Sequence, residues 1–207
     1  MSDSTVDPRR RRFLVASASV VGAGGCVAAL WPFLASLSPS AQALALGAPV
    51  EADISKVAPG QQVTFVWRNQ PVWVLNRTPK MLETLPKWDP RLSDPECKQN
   101  QQPAYCQNEH RSIKPQYLVM IGICTHLGCS PHLKAKFPDP TVQENWLGGY
   151  LCACHGSKYD LSGRVEKDQP APLNMVVPPY RYKSDTVIQI GVDPSAEELK
   201  NLNAHAA

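Results

Sequence analysis

Two short runs hold four of the chain's seven cysteines and two of its five histidines. They are Cys124-Thr125-His126-Leu127-Gly128-Cys129 and Cys152-Ala153-Cys154-His155-Gly156-Ser157, separated by residues 130–151. Each sets a cysteine and a histidine close together with a glycine beside them, the composition of a tight turn. Thiolates and imidazoles crowded in this way point to metal binding. A fold carrying both runs must bring two turns to one place, and that requirement restricts it more than any overall composition does.

The donors leave more than one metal open. Structural zinc takes four ligands in a tetrahedron, at usual spacings of C-x2-4-C and H-x3-5-H. Here the spacings are C-x-H and C-x-x-H. One thiolate and one imidazole from each turn would suit one zinc. The same set would suit two irons held unequally, thiolates on one and imidazoles on the other. Cys129 and Cys154 remain, one in each turn.

The rest of the chain supplies a setting. Residues 13–37 carry no charge and follow Arg9-Arg10-Arg11-Arg12. At roughly 1.5 Å per residue such a helix crosses a bilayer core of about 30 Å. Pro32 and Gly22, Gly24 and Gly25 are tolerated in membrane helices. The next basic residue is Lys56, so the positive-inside bias puts residues 1–12 in the cytoplasm and the remainder across the membrane. Arg10-Arg11-Arg12-Phe13-Leu14 also fits the twin-arginine pattern R-R-x-F-L of proteins exported already folded. Ala41-Gln42-Ala43 is similar to a cleavage site, but cleaved signals have shorter apolar cores, so an uncleaved anchor is expected. Cys26, inside this segment, reads as a small buried thiol without chemistry.

The arginine block less Asp3 and Asp7 accounts for +2 of the formal charge of +3, which argues against a nucleic-acid-binding body. The body reads as all-β. Residues 38–49, small-sided and almost uncharged, form a linker. Residues 63–67 and 72–75 predict a hairpin broken at Asn69-Gln70-Pro71, and Thr78-Pro79 predicts a capped short helix over 80–85. Residues 86–112 read as a polar, proline-rich loop or insertion. Strands are expected at 117–123, 149–151 and 186–192, and a terminal helix after Asp193-Pro194. Cys97 and Cys106 fall in the insertion and, after export, are expected to form a loop-closing disulfide. His110, His132 and His205 read as solvated, without a role.

The two boxes resemble those of the Rieske iron–sulfur proteins, which read C-T-H-L-G-C and C-x-C-H-G-S, complete and in order. Gln169-Pro170-Ala171-Pro172-Leu173 resembles the G-P-A-P proline loop that shields the cluster in cytochrome bc-type complexes, with Gln169 in place of the glycine. Together with the twin arginine, anchor and linker, this is similar to the iron–sulfur subunit of bacterial ubiquinol–cytochrome c reductases.

The resemblance implies an antiparallel β domain over 50–207, with a cluster-binding subdomain at about 122–175, behind a single N-terminal transmembrane helix. It implies one 2Fe–2S cluster, with Cys124 and Cys152 as thiolate ligands and His126 and His155 as imidazole ligands. Replacing two thiolates by neutral imidazoles removes negative charge, which raises the reduction potential. Cys129 and Cys154 match the family's loop-bridging disulfide. Ser157 and Tyr159 match positions that hydrogen-bond sulfur, and Leu127 matches an apolar cover on the histidine side. The implied activity is oxidation of ubiquinol, with His155 meeting the quinol and taking its proton, and electron delivery to a c-type cytochrome. The implied partners are a b-type and a c-type cytochrome subunit within a dimeric complex of the bacterial inner membrane, the cluster domain being periplasmic. A Rieske subunit of another periplasmic enzyme, such as arsenite oxidase, and a zinc-binding structural module are the alternatives.

Overall fold

A computed structural model describes residues 7–204; residues 1–6 of the expected cytoplasmic segment, and His205, lie outside that range. The chain divides into two compact units, residues 1–45 and 46–207.

The first unit is dominated by α1, Pro8–Ser36. Asp7 caps it by accepting the Arg9 backbone N–H at 2.9 Å, and Pro8 supplies the preset φ of a first helical residue. None of its residues is buried by other parts of the protein. A helix that is long, uncharged after Arg12 and apolar on every face suits a bilayer rather than water. Cys26, expected as a small buried thiol, is exposed on the surface of α1. The linker contains a second helix, α2 (Ala41–Leu46), started by Ser40, whose Oγ accepts the Ala43 N–H at 3.1 Å.

The second unit holds three antiparallel sheets of three strands each. The first joins β1 (Val50–Asp53), β9 (Val187–Ile190) and β8 (Tyr180–Ser184), with β9 in the centre. The next is β2 (Gln62–Trp67), β3 (Gln70–Asn76) and β4 (Tyr117–Ile121), in chain order. The last, also in chain order, is β5 (His132–Lys134), β6 (Gly149–Leu151) and β7 (Lys158–Tyr159). Val72 to Leu75 of β3 are all buried, and Trp73 stacks on Tyr150 of β6 with ring centroids 5.4 Å apart. That stack, with the Tyr150 hydroxyl donating to Gln62 Oε1 at 3.0 Å, ties the second sheet to the third.

The β2–β3 turn is shorter than expected and ends two residues earlier, at Asn69. Arg68 and Asn69 both take left-handed backbone, φ 50° and 58°, which matches the twist of a two-residue hairpin. Proline cannot adopt that φ, so Pro71 is excluded from the turn and pairs with Val66 inside β3. The helix after Thr78 splits into α3 (Pro79–Leu82) and α4 (Leu85–Trp88), and the Thr78 side chain caps the first.

Residues 86–112 are packed rather than loose. Trp88 and Leu92 form a second small core with Trp146, the two indoles edge-on at 5.3 Å. Cys97 and Cys106 are both buried as free thiols, which corrects the expected disulfide. The sulfurs are turned to separate partners: Cys97 Sγ to the carbonyls of Pro95 and Asn108, Cys106 Sγ to the Tyr180 hydroxyl. His110 is half-buried, with its Nδ1 buried and unpartnered, whereas His132 is exposed as expected.

Three buried arginines hold the turn 160–164 that follows β7. Arg77 donates to the Leu161 carbonyl and Ser162 Oγ, and Arg111 to the carbonyls of Ser162 and Gly163. Arg164 binds Asp160 at 2.7 Å, both side chains fully buried, and Asp89 at 2.8 Å. Burial lowers the Arg77 guanidinium to about 10, still charged at neutral pH. Burial works against the Arg164 charge too, but Asp160 and Asp89 hold its pKa above the ordinary value.

Two expectations follow from this packing. Arg164→Met leaves the Asp160 carboxylate buried without its cation and should lower stability by about 3–5 kcal/mol, read as a shift in the urea midpoint. Burial pushes the thiols of Cys97 and Cys106 up to about 11 and about 12. Neither should be alkylated in native protein at pH 8, and protection should be lost only toward those values. After unfolding without reductant both should take the label, as peptide mapping would show; a Cys97–Cys106 cross-linked peptide would contradict the fold described.

Candidate metal centre

β4 runs into the first box, and β6 and β7 flank the second. The two boxes fold into the same backbone turn. In the first, the Cys124 N–H donates to the Cys129 carbonyl at 2.7 Å and the Gly128 N–H returns to the Cys124 carbonyl at 3.1 Å. In the second, the Cys152 N–H donates to the Ser157 carbonyl at 2.8 Å and the Gly156 N–H to the Cys152 carbonyl at 2.9 Å. Gly128 and Gly156, at the same place in each turn, have φ of 84° and 79°, left-handed backbone in which a side chain is strained. The shared spacing of cysteine and glycine in the two boxes was the sequence signal for this equivalence.

Equivalent turns put equivalent positions in equivalent surroundings. Cys124 and Cys152 open the two turns and are both almost wholly buried. Leu127 and His155 share the third place after the opening cysteine, and both are exposed, Leu127 at 71%. Cys129 and Cys154 are joined in the expected disulfide, Cα atoms 6.7 Å apart. The His126 and His155 rings meet edge-on with centroids 4.6 Å apart.

The donors fit a metal-bound group. His126 Nδ1 is buried without a hydrogen-bond partner. A buried ring nitrogen without a protein donor or acceptor can serve a metal. His110 Nδ1 shares that state, and what sets His126 apart is its place on the first turn with its ring against His155. Burial raises the Cys152 thiol above its ordinary value, and the adjoining Cys124 raises it further. Two buried thiolates side by side repel, so ionising both needs a cation between them. The sulfurs of Cys129, Cys152 and Cys154 also lie within 4.8 Å of one another. That trio is no metal site, since two of the three sulfurs are spent in the disulfide.

A shell of hydrogen bonds surrounds the donors. The Tyr159 hydroxyl lies 3.1 Å from Cys124 Sγ and accepts the Thr125 N–H at 3.2 Å. Burial, then the neighbouring Cys124, raises the Tyr159 phenol, so it is protonated at neutral pH and free to donate. Ser157 is fully buried, and its Oγ accepts the Ala171 N–H at 3.1 Å, which attaches the proline loop 169–173 to the second box. Thr125 Oγ1 donates to the Leu173 carbonyl at 2.6 Å and attaches the same loop to the first. Thr125 was not singled out from sequence; its place inside the box was the available signal. The left-handed residue before the loop is Asp168, φ 55°, so Gln169 stands in the family's glycine position without needing glycine's backbone.

Comparison with known proteins points to one family. Residues 97–181 match the family model described as the Rieske 2Fe-2S domain, and residues 1–40 match the twin-arginine signal of ubiquinol–cytochrome c reductase Fe–S subunits. The ubiquinol–cytochrome c reductase iron–sulfur subunit of Allochromatium vinosum is 55% identical over 193 residues, covering 93% of each chain. That of Bradyrhizobium diazoefficiens is 40% identical over 92% of this chain and 98% of its own. A chain of a solved hyperthermophilic respiratory Complex III is 23% identical, covering 84% of this chain and 98% of that one, with a TM-score of 0.46. The twin-arginine signal and the one long apolar helix fit a single-pass membrane anchor. With paired Cys/His turns, a loop-bridging disulfide and full-length relatives in accord, the chain belongs to the Rieske 2Fe–2S proteins, as an iron–sulfur subunit of the ubiquinol–cytochrome c reductase family.

Proposed function

We propose that Cys124 and Cys152 would hold one iron, and His126 and His155 the other, of a 2Fe–2S cluster, and that the chain serves to oxidise ubiquinol and deliver the electron to a c-type cytochrome. The observation that carries the reading is that two disulfide-joined turns matching the family's boxes hold two adjoining buried thiols and two edge-on imidazoles, one with a buried Nδ1 that has no protein partner. When bound, such a cluster supplies a one-electron acceptor whose potential is raised by imidazole ligation.

The chain's own groups do the rest. His155, exposed at the tip of its turn, presents its second ring nitrogen to the quinol hydroxyl and takes the proton, so that proton and electron leave together. Leu127, also exposed, gives the quinone ring an apolar neighbour beside His126. Tyr159 donates to the Cys124 sulfur, and the Ser157 hydroxyl donates toward sulfur as well; both bonds favour the reduced state and raise the potential.

The domain assignment belongs to the same proposal. Residues 1–12 lie in the cytoplasm, 13–37 span the inner membrane, 38–49 form a flexible linker, and 50–207 carry the cluster in the periplasm. The partners are a b-type and a c-type cytochrome in a dimeric complex. α2 is a six-residue helix with no buried residue, below the length at which an isolated helix is stable, so the linker can lose and regain it while the domain moves between partners.

His155→Ala should abolish the g-anisotropic EPR signal of the reduced protein, and elemental analysis of the parent chain should give two irons and two labile sulfides rather than one zinc. A native signal surviving in the variant would refute the ligand set. Ser157→Ala should retain the cluster but lower its midpoint potential; an unmoved potential would mean that the hydroxyl does not reach sulfur.

A further inference from the structure

The proline loop has a third attachment besides Thr125 and Ser157. Gln169 Nε2 reaches Glu166 Oε2 at 3.5 Å and the Lys167 carbonyl at 3.3 Å. Glu166 is buried, only 8% exposed, and its carboxylate is a junction. Oε1 accepts from Arg91 Nε at 3.0 Å and Nη2 at 2.6 Å, a fork from one guanidinium, and from Gln143 at 3.3 Å. Lys158 Nζ lies 3.6 Å from Oε2. Arg91 belongs to the insertion, Lys158 follows Ser157 in the chain, and Gln169 opens the loop, so one carboxylate connects all three.

The backbone reinforces the junction. The Lys167 N–H donates to the Arg91 carbonyl at 2.8 Å, and the Ser93 N–H to the Val165 carbonyl at 3.0 Å. At the far end of the loop Asn174 Oδ1 accepts the Val165 N–H at 2.8 Å, and its Nδ2 donates to the Asp94 carbonyl at 3.2 Å. Both ends of the loop are thus rooted in residues 91–94.

We infer that Glu166 is a positioning residue for the metal centre: with Arg91 it fixes the root of the loop 169–173, and through the Ala171 N–H it fixes the direction of the Ser157 hydroxyl. A serine oxygen that accepts one N–H has less rotational freedom, and its proton is left to point elsewhere. With the loop released the rotor is free and the donor toward sulfur is populated less. The inference rests on the reading in which Ser157 tunes a cluster held by Cys124, Cys152, His126 and His155. Gln169, where the family has glycine, adds a side-chain hook that a glycine cannot supply.

The sign of the effect separates positioning from bare charge. Removing a negative charge near the centre favours the added electron and by itself raises the midpoint potential. Releasing Ser157 lowers it. The test uses the full cluster-loaded chain in detergent, with Glu166→Gln and the uncharged change Gln169→Ala, read by amide hydrogen exchange over 168–175 and by EPR-monitored redox titration. Protection of the Ala171 amide should fall by about tenfold in Glu166→Gln, as for loss of a charge-assisted bond, and by less in Gln169→Ala. The potential should fall in both while the signal keeps its shape. Unchanged protection, an unchanged potential, or a rise in Glu166→Gln overturns the inference. If Glu166→Gln fails to fold, Gln169→Ala decides alone. A parent chain lacking the cluster signal would bring down the metal-centre reading and this inference with it, whereas a normal parent signal beside unmoved variants would bring down this inference only.

Discussion

The candidate centre depends on one constraint: the cysteines and histidines of the two boxes sit on turns, not on strands or helices, and turns are the least rigid parts of a chain. The protein meets it by using one backbone turn twice. In both boxes the opening cysteine's carbonyl accepts the N–H of a left-handed glycine, and its own N–H bonds across to the fifth residue after it. The Cys129–Cys154 disulfide then joins the two copies. A cross-link between residues 25 apart removes chain freedom worth about 3 kcal/mol from the unfolded state, within the entropic account. More to the point for function, it restricts the relative motion of two turns that the β5–β6 ladder joins only through the residues beside them.

Behind the turns lies an unusually polar core. Arg77, Arg111 and Arg164 are buried, and among them Asp160 is the fully buried carboxylate. Their positive charge is dispersed over carbonyls: Arg77 on those of Pro115, His110 and Leu161, and Arg111 on those of Ser162, Gly163, Gln101 and Met175. Guanidinium suits that task because it has five donors in a fixed plane and stays charged where an ammonium would lose its proton. The effect is mechanical. Residues 86–112 and 160–164, which a β-sheet alone would leave as separate loops, become one block immediately behind Tyr159.

The same distinction explains what could be read in the sequence. Ligand spacing is local, so Cys124, His126, Cys152 and His155 were legible as a group, as was the disulfide by resemblance. The uncharged segment after the arginines was legible too, because length and polarity alone decide whether a helix suits a bilayer. The hairpin was legible in kind but its turn ends two residues earlier, since Arg68-Asn69 carries none of the usual glycine signal for left-handed backbone. Strands β1, β5, β7 and β8 were not read from the sequence; β5 and β7, of three and two residues, are too short to show alternation, whereas β6, equally short, was read from its place before the second box. Cys97 and Cys106 misled for a physical reason: compartment and separation make a disulfide possible, but only packing decides where each sulfur turns, and here each meets a different carbonyl or hydroxyl.

The repeated turn also accounts for an asymmetry in the centre. The imidazoles are not at matching places: His126 is second after its opening cysteine, and His155 third. The third place is exposed in both copies, whichever side chain fills it, for Leu127 stands out from the first turn as His155 does from the second. Exposure of His155 is therefore a property of the backbone rather than of histidine's own polarity. Moving the histidine by one place along an otherwise repeated turn is enough to leave one ring half-buried with an unpartnered nitrogen and the other open to solvent. An apolar leucine at the matching place of the first turn then gives the paired turns one polar and one apolar projection into solvent.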